Sequence, residues 1–250
     1  MMVVSDFDNT LHPYSDDATF AKNLEHIKRF RQAGNLFCLA TGRNQASLKR
    51  TWPEYGDCLD YVIFDNGATC MDKHGDIMFE ETISLTVAQE IVNRIITKLA
   101  DDNITFVFYH DSTEWEKLNR SVTKIRCWVP DLATAQRVMA EIDPSFSDKV
   151  QGFIARDSTM SGIKWIENPE AYHAFVDIMS INAGKYNAIR RLCQSFPHER
   201  VITVGDDTND LAMIKEYNGY AMRNSAPEVL EVVNPAQVVD SVAELLEKCE

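Results

Sequence analysis

The sequence predicts an α/β protein, a parallel-sheet core with helices on its faces, interrupted by an inserted α+β segment with an antiparallel sheet. Three observations predict it. Short, uninterrupted apolar runs at 1–5, 36–40, 61–64 and 201–204 read as strands buried on both faces. Helical patterns alternate with these runs in both outer parts of the chain, the order that builds a parallel sheet. Between about 83 and 181 the order becomes α-β-β-α-β-β, which fits an antiparallel sheet. The expected division is therefore a core of residues 1–82 and 182–250 and an insert of residues 83–181.

Each element has its own reason. After the first strand, Phe20, Leu24, Ile27 and Phe30 recur at helical spacing and Gly34 stops the helix, giving a helix over 17–33. A second strand at 36–40 ends at Thr41-Gly42, a short helix follows at about 44–51, and a third strand at 61–64 ends at Asp65-Asn66-Gly67. Lys73-His74-Gly75-Asp76 is a turn signal, so 68–83 reads as a hairpin. In the insert, Val87, Ile91, Ile95 and Leu99 mark an amphipathic helix. Strands are expected at 104–109 and 122–129, a helix at 132–142, and strands near 150–155 and 172–179. Alternation then resumes, with helices at 185–195, 208–217, 226–233 and 241–248 and strands at 201–204, 220–222 and 238–239.

At 250 residues and 45% hydrophobic content, the chain suits one domain plus an insert and can bury a sizeable core. Its net charge of −13 argues against general binding to nucleic acid or to an anionic membrane, both of which need clustered Lys or Arg. It does not forbid a phosphorylated substrate, because a bound cation and a lysine can reverse the sign inside a pocket. The six cysteines form no CxxC pair and have no histidine at metal spacing, so buried thiols in a reducing compartment are expected. No leader-like segment opens the chain and no apolar run approaches the ~18 residues of a membrane span, so the expected location is cytoplasmic.

Four motifs fall where apolar runs end, the edge at which parallel sheets display ligand-binding groups. Asp6-Phe7-Asp8-Asn9-Thr10 places two carboxylates at alternate positions of an extended chain, so both can face one site. Two close carboxylates resist ionising together without a cation, and hard oxygen donors suit Mg²⁺. Thr41-Gly42-Arg43 offers a hydroxyl, backbone N–H groups and a guanidinium to phosphate oxygens. Lys185, after Gly184, puts a cation at a helix start, where the dipole disfavours it. Gly205-Asp206-Asp207-Thr208-Asn209-Asp210 carries several carboxylates after a strand. Each motif alone also has a bland reading: Asp8-Asn9-Thr10 as a turn, Thr41 as an N-cap, Arg43 as solvated surface, Asp207 or Thr208 as a cap.

The joint pattern resembles the haloacid dehalogenase superfamily, and within it the Cof-like sugar-phosphatase branch with an α/β cap between the second and third motifs. The resemblance spans the whole chain, and Asp65-Asn66-Gly67-Ala68 also matches a segment of that branch. Asn9 departs from the branch's usual glycine, a change the turn can survive because Asn tolerates positive φ. Phe7 replaces the common leucine.

The resemblance implies a Rossmann-like core whose central first strand is flanked by the strands ending at Thr41 and Asp206. It implies Asp6 as the nucleophile and Asp8 as the general acid and base. Mg²⁺ would be held by Asp6, the Asp8 backbone carbonyl and Asp206, with Asp210 supporting its waters or Lys185. The phosphoryl oxygens would be bound by Thr41, Gly42, Arg43, Lys185 and Asn209. The insert would act as a lid that selects a small phosphorylated metabolite, with Tyr109, His110, Trp115, Arg156, Lys164 and Trp165 as its polar and aromatic candidates. The expected activity is a phosphomonoesterase. A phosphomutase with the same site, and a phosphorylatable regulatory module without turnover, are the alternatives. The oligomeric state is left open.

Overall fold

The chain alternates between segments that hide every side chain and segments that hide one stripe, and the fold follows from that. In the computed structural model, which describes residues 1–14, 16–156, 171–195 and 200–249, the elements run β1 (Met2–Ser5), α1 (Asp17–Gln32), β2 (Leu36–Ala40), α2 (Gln45–Thr51), α3 (Tyr55–Cys58), β3 (Tyr61–Phe64), β4 (Thr69–Asp72) and β5 (Ile77–Glu80). There follow α4 (Leu85–Lys98), β6 (Thr105–His110), β7 (Thr113–Trp115), β8 (Lys124–Val129), α5 (Leu132–Phe146), β9 (Val150–Arg156) and β10 (Ala174–Ser180). The last stretch holds α6 (Lys185–Ser195), β11 (Val201–Gly205), α7 (Leu211–Glu216), β12 (Tyr220–Met222), α8 (Pro227–Leu230), β13 (Val238–Val239) and α9 (Val242–Cys249).

Two units result: residues 1–79 with 184–250, and residues 80–183. In the first, eight strands are ordered β13-β12-β11-β1-β2-β3-β4-β5. β13 through β3 are parallel, and β4 turns back antiparallel to β3. Successive side chains of β2 point to opposite faces. Phe37 and Leu39 join one core with Phe7, Ile27, Phe30 and Leu245, whereas Cys38 and Ala40 join the other with Val4, Ile63, Ile189 and Met213. That double burial is why these strands read as unbroken apolar runs. β1 is paired with β11 on one side and β2 on the other, so the segments after Ser5, Ala40 and Gly205 emerge at one edge.

In the second unit five antiparallel strands are ordered β7-β6-β8-β10-β9. Ile91 and Ile95 of α4 and Val138 and Ile142 of α5 pack with Ile125, Cys127, Val176 and Ile178. On the alternate positions, Arg126 donates Nε–H and Nη2–H to the two oxygens of buried Asp177 at 2.6 and 2.7 Å. Trp115 is exposed with Arg120 over its ring, and Tyr109 is buried beneath the Lys124 ammonium. Lys164 and Trp165 lie outside the described residues.

The mixed architecture is the one expected, with local differences. The three-residue β7 gives too short a pattern to register in the sequence. The helix expected over 208–217 begins as a 3₁₀ turn, Thr208–Asp210, because Asp207 and Asp210 cap each other reciprocally there. The helix expected over 226–233 shortens to a single turn, α8. No helix among the described residues is long and apolar enough to cross a membrane.

Candidate active site

Three strand ends build the site. Asp6 follows β1, is 6% exposed, and is fixed by its N–H bond to the Val204 carbonyl (2.9 Å) on the neighbouring strand. Asn9 then takes φ 58°, so the left-handed turn forms without the glycine expected there. Asp206 follows β11, and its Oδ1 accepts the Thr10 hydroxyl at 2.8 Å. Thr10 is thus a site residue that received no role from the sequence, although its hydroxyl within the first motif was the available signal.

Asp210 is fully buried four residues on, with Oδ2 accepting the N–H groups of Asp206 (3.1 Å) and Asp207 (3.2 Å). Gly205 makes room for it, since a Cβ there would lie 2.4 Å from the Asp210 carboxyl carbon. One oxygen from each of Asp6, Asp206 and Asp210 falls within 4.8 Å of the others.

Lys185 joins this group from the first residue of α6. Its side chain is 1% exposed, and its ammonium donates to Asp6 Oδ1 at 2.5 Å and to Asp210 Oδ1 at 2.7 Å. The cation that was costly for the helix dipole is thus placed between two buried carboxylates. The helix start is set by a close backbone approach: Gly67 (φ 101°) faces Gly184, and a Cβ on Gly67 would lie 2.3 Å from the Gly184 carbonyl.

The electrostatics reflect three acids sharing one ammonium. Burial, reinforced by Asp210 and Asp206, pushes the Asp6 carboxyl well above its usual range despite Lys185. Burial, with a further push from Asp210, raises Asp206 to about 6 against the pull of the Thr10 hydroxyl. Burial works against charge on Lys185, but Asp210 and Asp6 outweigh it and hold the ammonium above its ordinary range. A cluster of hard carboxylate oxygens with too little positive charge fits a divalent cation of the Mg²⁺ type.

The second motif is placed differently. Thr41 is fully buried, and its hydroxyl accepts the Arg43 N–H at 3.1 Å. The cap of α2 is Asn44, whose side chain accepts the Ser47 N–H, so Thr41 is not spent as an N-cap. A Cβ on Gly42 would lie 3.0 Å from Asn66 Oδ1, which itself accepts from Asn209 Nδ2 at 3.1 Å. Asn66 is a second residue the sequence left without a role; its segment stood out, but the partner lies 143 residues away.

The Arg43 guanidinium, expected at phosphate, is bonded to the Asp8 side chain, Nη2–H to Oδ1 at 2.7 Å and Nε–H to Oδ2 at 2.9 Å. The Asp8 carboxylate is not part of the Asp6, Asp206 and Asp210 group. The group expected at the metal is its backbone carbonyl, which the side-chain pairing does not involve.

A mostly parallel sheet here gathers three acids and a buried lysine beyond its strand ends. A family model of the haloacid dehalogenase-like hydrolases matches residues 3–244, and the chain belongs to that family, in its Cof-like branch. It is 28% identical over 262 residues to an uncharacterized protein of Mycoplasma capricolum, covering 96% of this chain and 97% of that one. It is 22% identical to the 5-amino-6-(5-phospho-D-ribitylamino)uracil phosphatase of Bacillus subtilis, covering 99% and 96%. Among solved structures, a haloacid dehalogenase-like hydrolase from Bacteroides thetaiotaomicron superposes with TM-score 0.77 at 20% identity, covering 100% of this chain and 99% of that one. A HAD/COF-like hydrolase from Plasmodium vivax gives 0.76 at 19%, covering 99% and 94%. These two likenesses establish the fold.

Proposed function

We propose that the protein is a Mg²⁺-dependent phosphomonoesterase that works through an aspartyl-phosphate on Asp6, with a small phosphorylated metabolite, most simply a sugar phosphate, as substrate. The observation that carries this reading is the buried Lys185 ammonium shared by Asp6 and Asp210 beside Asp206. The Bacillus subtilis relative, named for a phosphorylated small molecule, supports the substrate class.

Asp6, Asp206 and the Asp8 carbonyl would hold the cation, which supplies charge neutralisation for the phosphoryl oxygens. Lys185 fixes Asp6 through Oδ1, and among the described residues Oδ2 accepts no hydrogen bond, which suits it to attack. As the Asp6 oxygen bonds to phosphorus, the bond to the leaving oxygen breaks and Asp8 gives that oxygen a proton. Water then attacks the aspartyl-phosphate as Asp8 takes a proton from it, the bond from phosphorus to the Asp6 oxygen breaks, and inorganic phosphate leaves with Asp6 regenerated. Thr41, whose hydroxyl accepts from Arg43, has its own proton to donate to a phosphoryl oxygen.

Purified protein with Mg²⁺ should release phosphate from p-nitrophenyl phosphate, lose that activity on chelation, and lose at least about a thousandfold in kcat on Asp6→Asn. An Asp6→Asn protein that turns over at the wild-type rate refutes the proposal.

A further inference from the structure

The Asp8–Arg43 pair stands apart from the carboxylate cluster, and its construction is more elaborate than a surface ion pair requires. Arg43 donates from Nε to both Asp8 oxygens (2.9 and 3.2 Å) and from Nη2 to Oδ1 (2.7 Å). Its third nitrogen, Nη1, donates to the Thr51 hydroxyl on α2 at 2.6 Å. The guanidinium also lies 5.2 Å over the Phe7 ring. Its backbone N–H is held by the Thr41 hydroxyl and its carbonyl by the Asp65 N–H at 2.9 Å. The Tyr14 hydroxyl also donates to Asp8 Oδ1, at 3.2 Å. A fork of this kind fixes the plane of a carboxylate, which a single point charge would not do.

We infer that Arg43 and Tyr14 clamp the Asp8 carboxyl group, and that Arg43 is a positioning residue for the proton transfer at Asp8 rather than a ligand of the phosphoryl group. The inference rests on the phosphatase reading above. Every nitrogen of the guanidinium already has a partner, and none of those bonds reaches Asp6, Asp206 or Asp210. Phe7 and Tyr14 then gain a purpose. Phe7, between the two aspartates, supplies the flat surface on which the guanidinium lies, and its ring is itself stacked on Trp52 at 6.1 Å. Tyr14 adds a neutral donor to Asp8 Oδ1, the oxygen that Arg43 Nη2 also holds.

The two roles for Arg43 separate by leaving group. A group that binds the transferred phosphoryl acts equally on any ester. A group that orients the proton donor acts most where the leaving oxygen needs a proton. In the first half-reaction the electron pair of the breaking P–O bond goes to the leaving oxygen. p-Nitrophenolate departs as the anion, whereas phenolate, of nearly the same shape, is more basic and gains more from the Asp8 proton.

The test compares kcat/KM for phenyl phosphate and p-nitrophenyl phosphate, with Mg²⁺, in wild type, Arg43→Met and Tyr14→Phe. Arg43→Met should lower the phenyl to p-nitrophenyl ratio by about fivefold or more, and Tyr14→Phe should lower it in the same direction by about twofold. Tyr14 is 60% exposed, so its variant keeps the fold even if Arg43→Met does not. Equal losses on both esters in Arg43→Met, or an unchanged ratio in Tyr14→Phe should Arg43→Met not fold, overturn the inference. Asp6→Asn, assayed alongside, separates the two readings. Retained turnover there defeats the aspartyl-phosphate mechanism itself, whereas abolished turnover with an unmoved ratio defeats the clamp alone.

Discussion

Replacing Lys185 with Met tests the electrostatic account of the site without reference to catalysis. Met fills most of the aliphatic volume but removes the ammonium that Asp6 and Asp210 share at 2.5 and 2.7 Å. Both partners are enclosed, with side-chain exposures of 9% and 0%. Breaking a buried pair by deleting one member costs about 3–5 kcal/mol. The structure sets a ceiling on that cost, because one proton taken up by the Asp6–Asp210 pair restores the lost positive charge. Protonating an ordinary carboxyl (pKa about 3.9) costs about 4 kcal/mol at pH 7 and about 1.5 kcal/mol at pH 5.

The sign follows from Asp6, whose carboxyl burial already pushes up and which would lose the pull of the ammonium. In the variant the folded pKa exceeds the unfolded one, so the stabilisation is complete at low pH and lost as pH rises through the folded value. Relative to wild type, Lys185→Met should therefore be less stable by about 4 kcal/mol at pH 7 and by about 1.5 kcal/mol at pH 5. Urea unfolding followed by circular dichroism, in the presence of a chelator so that no cation substitutes for the ammonium, measures both. A deficit that stays constant between pH 5 and 7, or one below about 1 kcal/mol at pH 7, would refute this account of a lysine shared by buried acids.

Two further outcomes follow from geometry elsewhere. Gly67→Ala should destabilise by about 2–4 kcal/mol, combining left-handed strain with a backbone clash, whereas Gly34→Ala, also left-handed (φ 85°) but with nothing within 4 Å, should cost only about 1 kcal/mol. Comparable melting shifts for the two would contradict the Gly67–Gly184 contact. In the second unit, burial opposes charge on Asp177, but Arg126 and Lys124 outweigh it and hold its carboxyl below the usual range. That contribution is complete above the unfolded value near ~3.9 and is lost as pH falls through the folded one. Asp177→Asn should accordingly cost about 3 kcal/mol at pH 7 and progressively less below about pH 4; an unchanged deficit at low pH tells against the pairing.

What could be read from the chain and what could not divide along sequence distance. β1, β2, β3 and β11 are legible because double burial writes each as an apolar run, and the strand-end positions of Asp6, Thr41 and Asp206 come with them. Lys185 is legible as a lysine in the wrong half of a helix. The fates of Arg43, Asn66 and Gly67 are not, because each is decided by a partner far along the chain: Asp8, 35 residues before Arg43; Asn209, 143 residues after Asn66; and Gly184 against Gly67. The short β7 and the 3₁₀ turn before α7 were missed or misread for the opposite reason. Three residues carry too little periodicity to overrule a neighbouring pattern.

The charge arrangement shows how a chain of net charge −13 would accommodate the phosphate ester proposed as its substrate. Around the cluster, Asp6, Asp206 and Asp210 carry three potential negative charges and Lys185 one positive, leaving two to be met. Burial first, and then the neighbouring carboxylates, push Asp6 and Asp206 up, so both favour taking up protons while that demand is unmet. A divalent cation would meet all of it and allow full ionisation of the carboxylate proposed to attack phosphorus. Arg43 is paired with Asp8, and none of its bonds goes to the cluster. The same pairing that keeps Arg43 out of the cluster keeps Asp8 out of it as well. Two carboxylates two residues apart thus sit in different surroundings, Asp6 beside a lysine shared with Asp210 and Asp8 beneath a guanidinium of its own.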